Sequence, residues 1–160
     1  MSLLVERDRA KKLHFDGTFS VKASRKDVFD VMTDPKQISK CMPDLQKLDV
    51  KSKEEFTVVV KAGVSFIKGD FTLNFRLVES EPPAHAKLVA RGSGIGSVVD
   101  LETIIDLSDS GDGGTLMKWQ AEAKVGGRIA SVGQRLLESQ AQKIIKQLFE
   151  CLRHKFGTGS

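Results

Sequence analysis

The residues of this chain best suited to nucleophilic or metal chemistry are three histidines, His14, His85 and His154, and two cysteines, Cys41 and Cys151. A catalytic or metal site needs such groups at short spacings that put them on one face, as in a helical HExxH. Here they stand far apart, and none belongs to a paired-ligand motif. His14 alternates outward on a strand, His85 lies by a turn and His154 sits near a helix end, so three solvated histidines are expected. Cys41 and Cys151 share neither metal nor redox spacing, and two free thiols are expected, as a cytosolic protein would keep them. The chain has no GxSxG elbow and no Tyr to serve as a general acid. Asp100, Glu102 and Asp106 form a carboxylate row, but alternation assigns them to the polar face of their strand. No catalytic residue and no metal ligand is assigned.

Gly92-Ser93-Gly94-Ile95-Gly96 has the composition of a phosphate-cradling loop. The dinucleotide pattern fails, because Ser97 stands where its third glycine would fall and a strand follows instead of a helix. A bulge or tight bend between two strands is the expected role. Nucleic acid is not an expected partner: the pI is near 9.1, but aromatic and basic residues do not interleave as base-stacking surfaces require. The net charge of +4 is concentrated, since residues 128–156 carry six Lys/Arg against two acids while the rest of the chain balances. On a helical wheel Arg128, Arg135, Lys146 and Arg153 fall within about 20° of one line. The stripe reads first as a solvated outer face. Its alternative role is docking to an anionic membrane surface or an acidic partner.

The elements that must position any site alternate clearly. Leu13, Phe15, Gly17, Phe19 and Val21 form one face of a strand. Ser24 is a plausible N-cap for a short helix with Val28, Phe29, Val31 and Met32, ended by Asp34-Pro35. A second short helix holds Ile38 and Cys41. Strands follow around Leu45–Val50 and Phe56–Lys61, then a loop at Ala62–Ser65. Further strands run through Phe71–Leu77, Lys87–Arg91, Val99–Leu107 and Met117–Val125. From Gly126 to Phe156 apolar residues recur at a helical period over roughly 40 Å, covering more of the circumference than one flat contact needs. The order is α+β: a strand, two short helices, six strands and a long helix. One domain, residues 13–156, is expected, with flexible termini at 1–12 and 157–160. The chain shows neither a transmembrane-length apolar run nor a signal peptide, so a cytoplasmic protein is expected.

A sheet curled around one broadly apolar helix can keep an apolar cavity between them. By strand alternation its lining is expected from Phe71, Phe75, Leu101, Met117 and Trp119, with Phe29 closing one side. By helical phase Leu137, Ile144 and Leu148 face it. Ala62–Ser65 and Gly94–Ser97 are the expected mouth loops. Such a cavity binds without catalytic motifs, since about ten methylenes at ~0.8 kcal/mol each give roughly 8 kcal/mol, a micromolar affinity before ordering costs.

The chain resembles the carbon monoxide dehydrogenase CoxG-like family of the START/helix-grip superfamily, which includes birch-pollen-allergen-like proteins. The carriers are Gly17-Thr18-Phe19, Val28-Phe29, Asp34-Pro35, Cys41-Met42-Pro43 and Gly92-Ser93-Gly94-Ile95-Gly96. Thr115-Leu116, Trp119, Val125-Gly126-Gly127-Arg128-Ile129-Ala130, Gln134-Arg135-Leu136 and Phe149 continue them. The family often has Gly after the Cys-x-Pro segment, where this chain has Asp44. The resemblance implies a helix-grip fold of about seven antiparallel strands, with an apolar cavity for a quinone or lipid and no covalent cofactor. It also implies a non-enzymatic accessory role beside molybdenum hydroxylases of the carbon monoxide dehydrogenase type, peripheral to the inner membrane face.

Overall fold

The computed structural model describes residues 10–157, so the expectations for Met1–Arg9 and Thr158–Ser160 lie outside it. Strand β1 (Lys11–Val21) leads into α1 (Arg25–Met32) and α2 (Pro35–Ile38), which tightens into a 3₁₀ turn at Ser39–Cys41. Strands β2 (Leu45–Val50), β3 (Glu55–Val64), β4 (Ile67–Glu81), β5 (His85–Gly94), β6 (Ser97–Asp109) and β7 (Thr115–Gly127) follow. A 3₁₀ turn at Ile129–Val132 then leads into α3 (Gln134–Phe156). The strands form one sheet in the order β1-β7-β6-β5-β4-β3-β2, every pairing antiparallel. Apart from the β1–β7 pair, neighbours in the sheet are neighbours in sequence, and β1 and β2 form its two edges. Helix α3 packs on its inner face.

Local chemistry accounts for these boundaries. Ser24 caps α1, its Oγ accepting from the Asp27 amide at 3.2 Å. Asp34 caps α2 by accepting from the Lys36 amide at 3.0 Å, with Pro35 in the first turn. Two features of the sequence reading change. Strand β1 starts at Lys11, inside the terminus expected to be flexible, and β3 runs on to Val64 through most of the expected Ala62–Ser65 loop. The long helix is also shorter than its apolar period, because Gly133 at φ +99° breaks it. Ile129 and Ala130 are buried from the 3₁₀ turn instead.

The inner face buries two separate apolar clusters. One joins Phe19, Val28, Phe29, Phe56, Val58, Met117 and Leu152 beneath α1 and the C-terminal half of α3. The other joins Leu13, Ile67, Phe71, Val125, Ile129 and Leu137 at the opposite end. The two cysteines are not free. Cys41 and Cys151 form a disulfide across 110 residues, tying the 3₁₀ turn after α2 to the last turns of α3. Spacing gave no hint of this, because the pairing is made by the fold.

Asp44 takes φ +55°, a left-handed conformation that strains most side chains and that glycine adopts freely. The substitution Asp44→Gly is expected to leave the fold unchanged and to raise stability by about 0.5–1 kcal/mol, read as a higher denaturant midpoint. A disulfide closing so long a loop is expected to contribute roughly 2–4 kcal/mol. Reduction, or the Cys41→Ser/Cys151→Ser double variant, should lower the unfolding midpoint accordingly. Equal midpoints with and without reductant, together with two titratable thiols in the denatured protein, would rule the disulfide out.

Candidate functional site

Alternation sends one set of side chains from each strand toward α3, and the register aligns them in rows. Phe15 of β1 faces Ala121 of β7, which faces Thr103 of β6, which faces Leu88 of β5. All four point inward, yet none is buried. In the next row Ala123 and Leu101 are likewise only half-buried, between buried Leu13 on one side and Ala90 on the other. The two clusters therefore meet only through half-buried Val60 and Leu73 on β3 and β4 and stay apart over β1, β7, β6 and β5. Between them lies an apolar strip, backed by β-structure and spanned by α3.

The helix shows the same gap. Leu137 and Leu152 are its buried anchors, about 22 Å apart along the axis. Ala141, Ile145 and Leu148 between them are half-buried. Ile144 lies on the inward arc with Leu137 and Leu148 but remains 43% exposed. This corrects its expected place as a lining residue: the sheet does not cover it, and it stands at the rim of the cleft.

The other residues expected to line a pocket divide among three settings. Phe29 and Met117 are committed to the first cluster, and Phe71 and Leu137 to the second. Phe75, Trp119 and Leu148 pack at the edge of the first, and Phe75 stacks on Phe56 with centroids 4.9 Å apart. Leu101 borders the strip. The sequence reading did not assign Phe15, Leu88 or Ala121 to the site. Their inward phase was legible, but their incomplete burial depends on what lies opposite.

Trp119 closes one side of the strip. Its indole lies against Gly17, where an added Cβ would approach the ring to 3.1 Å. Phe149 tilts against it at 5.2 Å and itself stacks on Phe19 at 4.6 Å. The indole Nε1–H is buried without a hydrogen-bond partner, which costs about 1–3 kcal/mol if nothing else accepts it. Thr103 adds one hydroxyl. Apart from Lys11 and Asp109 at the strand ends, no inward position of β1 or β3–β7 carries a titratable side chain.

Charge is confined to the outer face. An open groove of about 930 Å³ crosses that face over the backbone row of Leu13, Ala123, Leu101, Ala90, Phe75 and Phe56. Lys12, Arg91, Asp100 and Lys124 wall one side, and His14, Arg76, Glu102 and Glu122 the other. Walls so charged and solvated suit no apolar ligand. Two histidines expected to be solvated are paired here. His85 bridges Asp106 at 2.6 Å and Glu79 at 2.8 Å. His14 meets Asp16 at 2.8 Å and Glu122 at 3.3 Å. The Glu79 hydrogen bond, followed by that of Asp106, raises the His85 pKa above its ordinary 6.5, and Asp16 chiefly does the same for His14.

The basic stripe is also redrawn. The break at Gly133 takes Arg128 off the axis of α3, leaving Arg135, Lys146 and Arg153 along it. Arg153 stacks over the Phe19 ring at 5.0 Å. Arg128 and Arg135 lie at the end of the molecule formed by the β3–β4 and β5–β6 turns. Among the described residues no helix is long and apolar enough to cross a membrane.

A curved antiparallel sheet gripping one long helix defines the helix-grip fold. A START superfamily protein from Mycobacterium smegmatis shares the fold at TM-score 0.66 and 12% identity, over 89% of this chain and 96% of that one. Norcoclaurine synthase from Thalictrum flavum does so at 0.61 and 15%, over 95% and 92%. A conserved protein from Geobacillus kaustophilus superposes with TM-score 0.82 and 27% identity, over 89% of this chain and 94% of that one. No curated protein matches the sequence. Residues 17–157 match the carbon monoxide dehydrogenase CoxG family, and the chain belongs to that family.

The raised histidines give a pH dependence. A folded-state pKa above the unfolded value stabilises fully below about pH 6.5, and the contribution is lost as pH rises through the folded value. Melting temperature is therefore expected to fall between about pH 6 and 8. The variant His85→Gln should flatten that slope, leaving the part due to His14. An unchanged slope would remove His85 as its source.

Proposed function

We propose that this protein is a non-enzymatic binding protein for a hydrophobic small molecule held in the cleft between α3 and the sheet. The half-buried inward row of Phe15, Ala121, Thr103 and Leu88 carries this reading. Side chains so placed gain burial only from an occupant, at roughly 25 cal/mol per Å² of apolar surface covered. The unpartnered Trp119 Nε1–H favours an occupant with one hydrogen-bond acceptor, such as the carbonyl of an isoprenoid quinone or a lipid ester. Family membership supports an accessory role beside a membrane-associated molybdenum hydroxylase of the carbon monoxide dehydrogenase type. The fold also houses a synthase, but general acid–base chemistry needs titratable groups in the cleft, and the half-buried inward rows supply none.

Organic extraction of the purified protein followed by mass spectrometry is expected to yield a stoichiometric isoprenoid or acyl species. A clean extract, with no uptake of added quinone or lipid, would overturn the proposal. The substitution Trp119→Phe keeps the ring and removes the donor, and it is expected to weaken binding about fivefold, the value of one hydrogen bond. Unchanged affinity in a folded variant would leave the cleft but dismiss the indole as its anchor.

A further inference from the structure

We propose that the β3–β4 turn is a membrane-docking tip that inserts Phe66 into the interface of an anionic bilayer. Phe66 is 85% exposed at this turn. The hairpin projects. Pairing of β4 with β5 ends toward this side at Thr72–Ser93, and the β5–β6 turn rests Ile95 against Gly69. Phe66 lies three residues beyond Gly69, or roughly 10 Å. That reach matches the roughly 5–10 Å depth at which apolar side chains settle in the headgroup boundary. Among the described residues the turn offers Phe66 no burial, although its neighbour Ile67 is buried in the second cluster.

The surroundings favour a lipid surface over another apolar partner. Leu136, at 47%, and Val98, at 38%, are exposed on the same end of the molecule. Lys61 and Lys68 flank the turn on the hairpin, while Arg128 and Arg135 stand on the adjoining segment. All four are exposed, and among the described residues none of them makes an ion pair. The acids beside them are Asp44, whose carbonyl accepts from the Lys61 amide, Asp70, opposite Lys61 in the register, and Glu138, which accepts from Gln134. Cations around a projecting aromatic complement anionic headgroups, each cation strengthening attachment about fivefold at low salt. This surface goes beyond the ligand reading and does not depend on it, because the tip lies outside the cleft.

The test is co-sedimentation of the purified chain with two kinds of vesicle, phosphatidylcholine alone and a phosphatidylcholine–phosphatidylserine mixture with about 30% anionic lipid. Binding is expected to the mixture, weakly or not at all to phosphatidylcholine, and to weaken as salt rises. Phe66→Ser is expected to reduce binding about tenfold, and Lys61→Glu with Lys68→Glu to abolish it. Both alter exposed side chains, so circular dichroism and melting temperature should match the parent. Quinone or lipid uptake from detergent should persist in Phe66→Ser, which separates the tip from the cleft. Equal binding to both vesicles, or binding untouched by Phe66→Ser, overturns the proposal. So does vesicle-free self-association that Phe66→Ser abolishes, which would assign the tip to a second copy of the chain.

Discussion

Helix α3 is held at its two ends and not in its middle, and the rest of the molecule follows from that. At the C-terminal end Leu152 is fully buried, Phe149 stacks on Phe19 and the Cys41–Cys151 bond adds a covalent tie. At the N-terminal end Leu137 sits in the second cluster, and the Gln134 side chain donates to the Lys12 carbonyl at 2.8 Å. Between the two anchors, about 22 Å apart, Ala141 still packs on the second cluster and Leu148 on the first, and only the turn of Ile144 and Ile145 joins neither. A fully packed interior would place large side chains opposite Ala121 and Thr103. This chain instead has Ala141 on the inward arc and leaves Ile144 at the rim. The cleft is thus a consequence of where the anchors lie.

Much of this architecture was legible in the sequence, because alternation and helical period report which way side chains point. The order of elements, the capping by Ser24 and Asp34 and the tight bend at Gly92–Gly96 all follow from local chemistry. Three features were not local. The helix break at Gly133 hides inside an unbroken apolar period, because a 3₁₀ turn buries Ile129 and Ala130 as a helix would have. The disulfide joins residues 110 apart, and spacing cannot reveal a pair brought together by the fold. The cleft was misdrawn for a related reason. Phe29, Phe71 and Met117 are inward and large, and on that ground they looked like lining, but they fill the clusters. The half-buried residues are marked only by what is missing opposite them.

The disulfide bears on where the protein works. Such bonds persist in oxidising compartments and are rare where thiols are kept reduced. A cytoplasmic location goes with free thiols, and the fold pairs them instead. The redox state of Cys41 and Cys151 in the isolated protein thus reports its compartment as well as its stability. In either state the aromatic stack of Phe19, Phe149 and Trp119 remains to hold the C-terminal half of α3 over the sheet.

The partition of polarity between the two faces of the sheet separates binding from catalysis in this fold. Charged side chains along the middle of the central strands are turned outward, where they find partners such as Glu102 for Lys87 at 3.2 Å and Asp106 for His85. The half-buried inward rows hold apolar groups, the Thr103 hydroxyl and the Trp119 indole N–H. A reaction needs a group that changes protonation or forms a bond at the substrate, and neither donor changes protonation readily near neutral pH. What such an interior can do is exclude water and orient a molecule through one hydrogen bond. A titratable group would have to be introduced at an inward position for this scaffold to do acid–base chemistry there. In this chain such positions are those of Phe15, Leu88, Thr103 and Ala121, where one introduced carboxylate would be desolvated and its pKa raised. The distance from binder to enzyme in this scaffold is then a matter of side chains on one row, with the backbone unchanged.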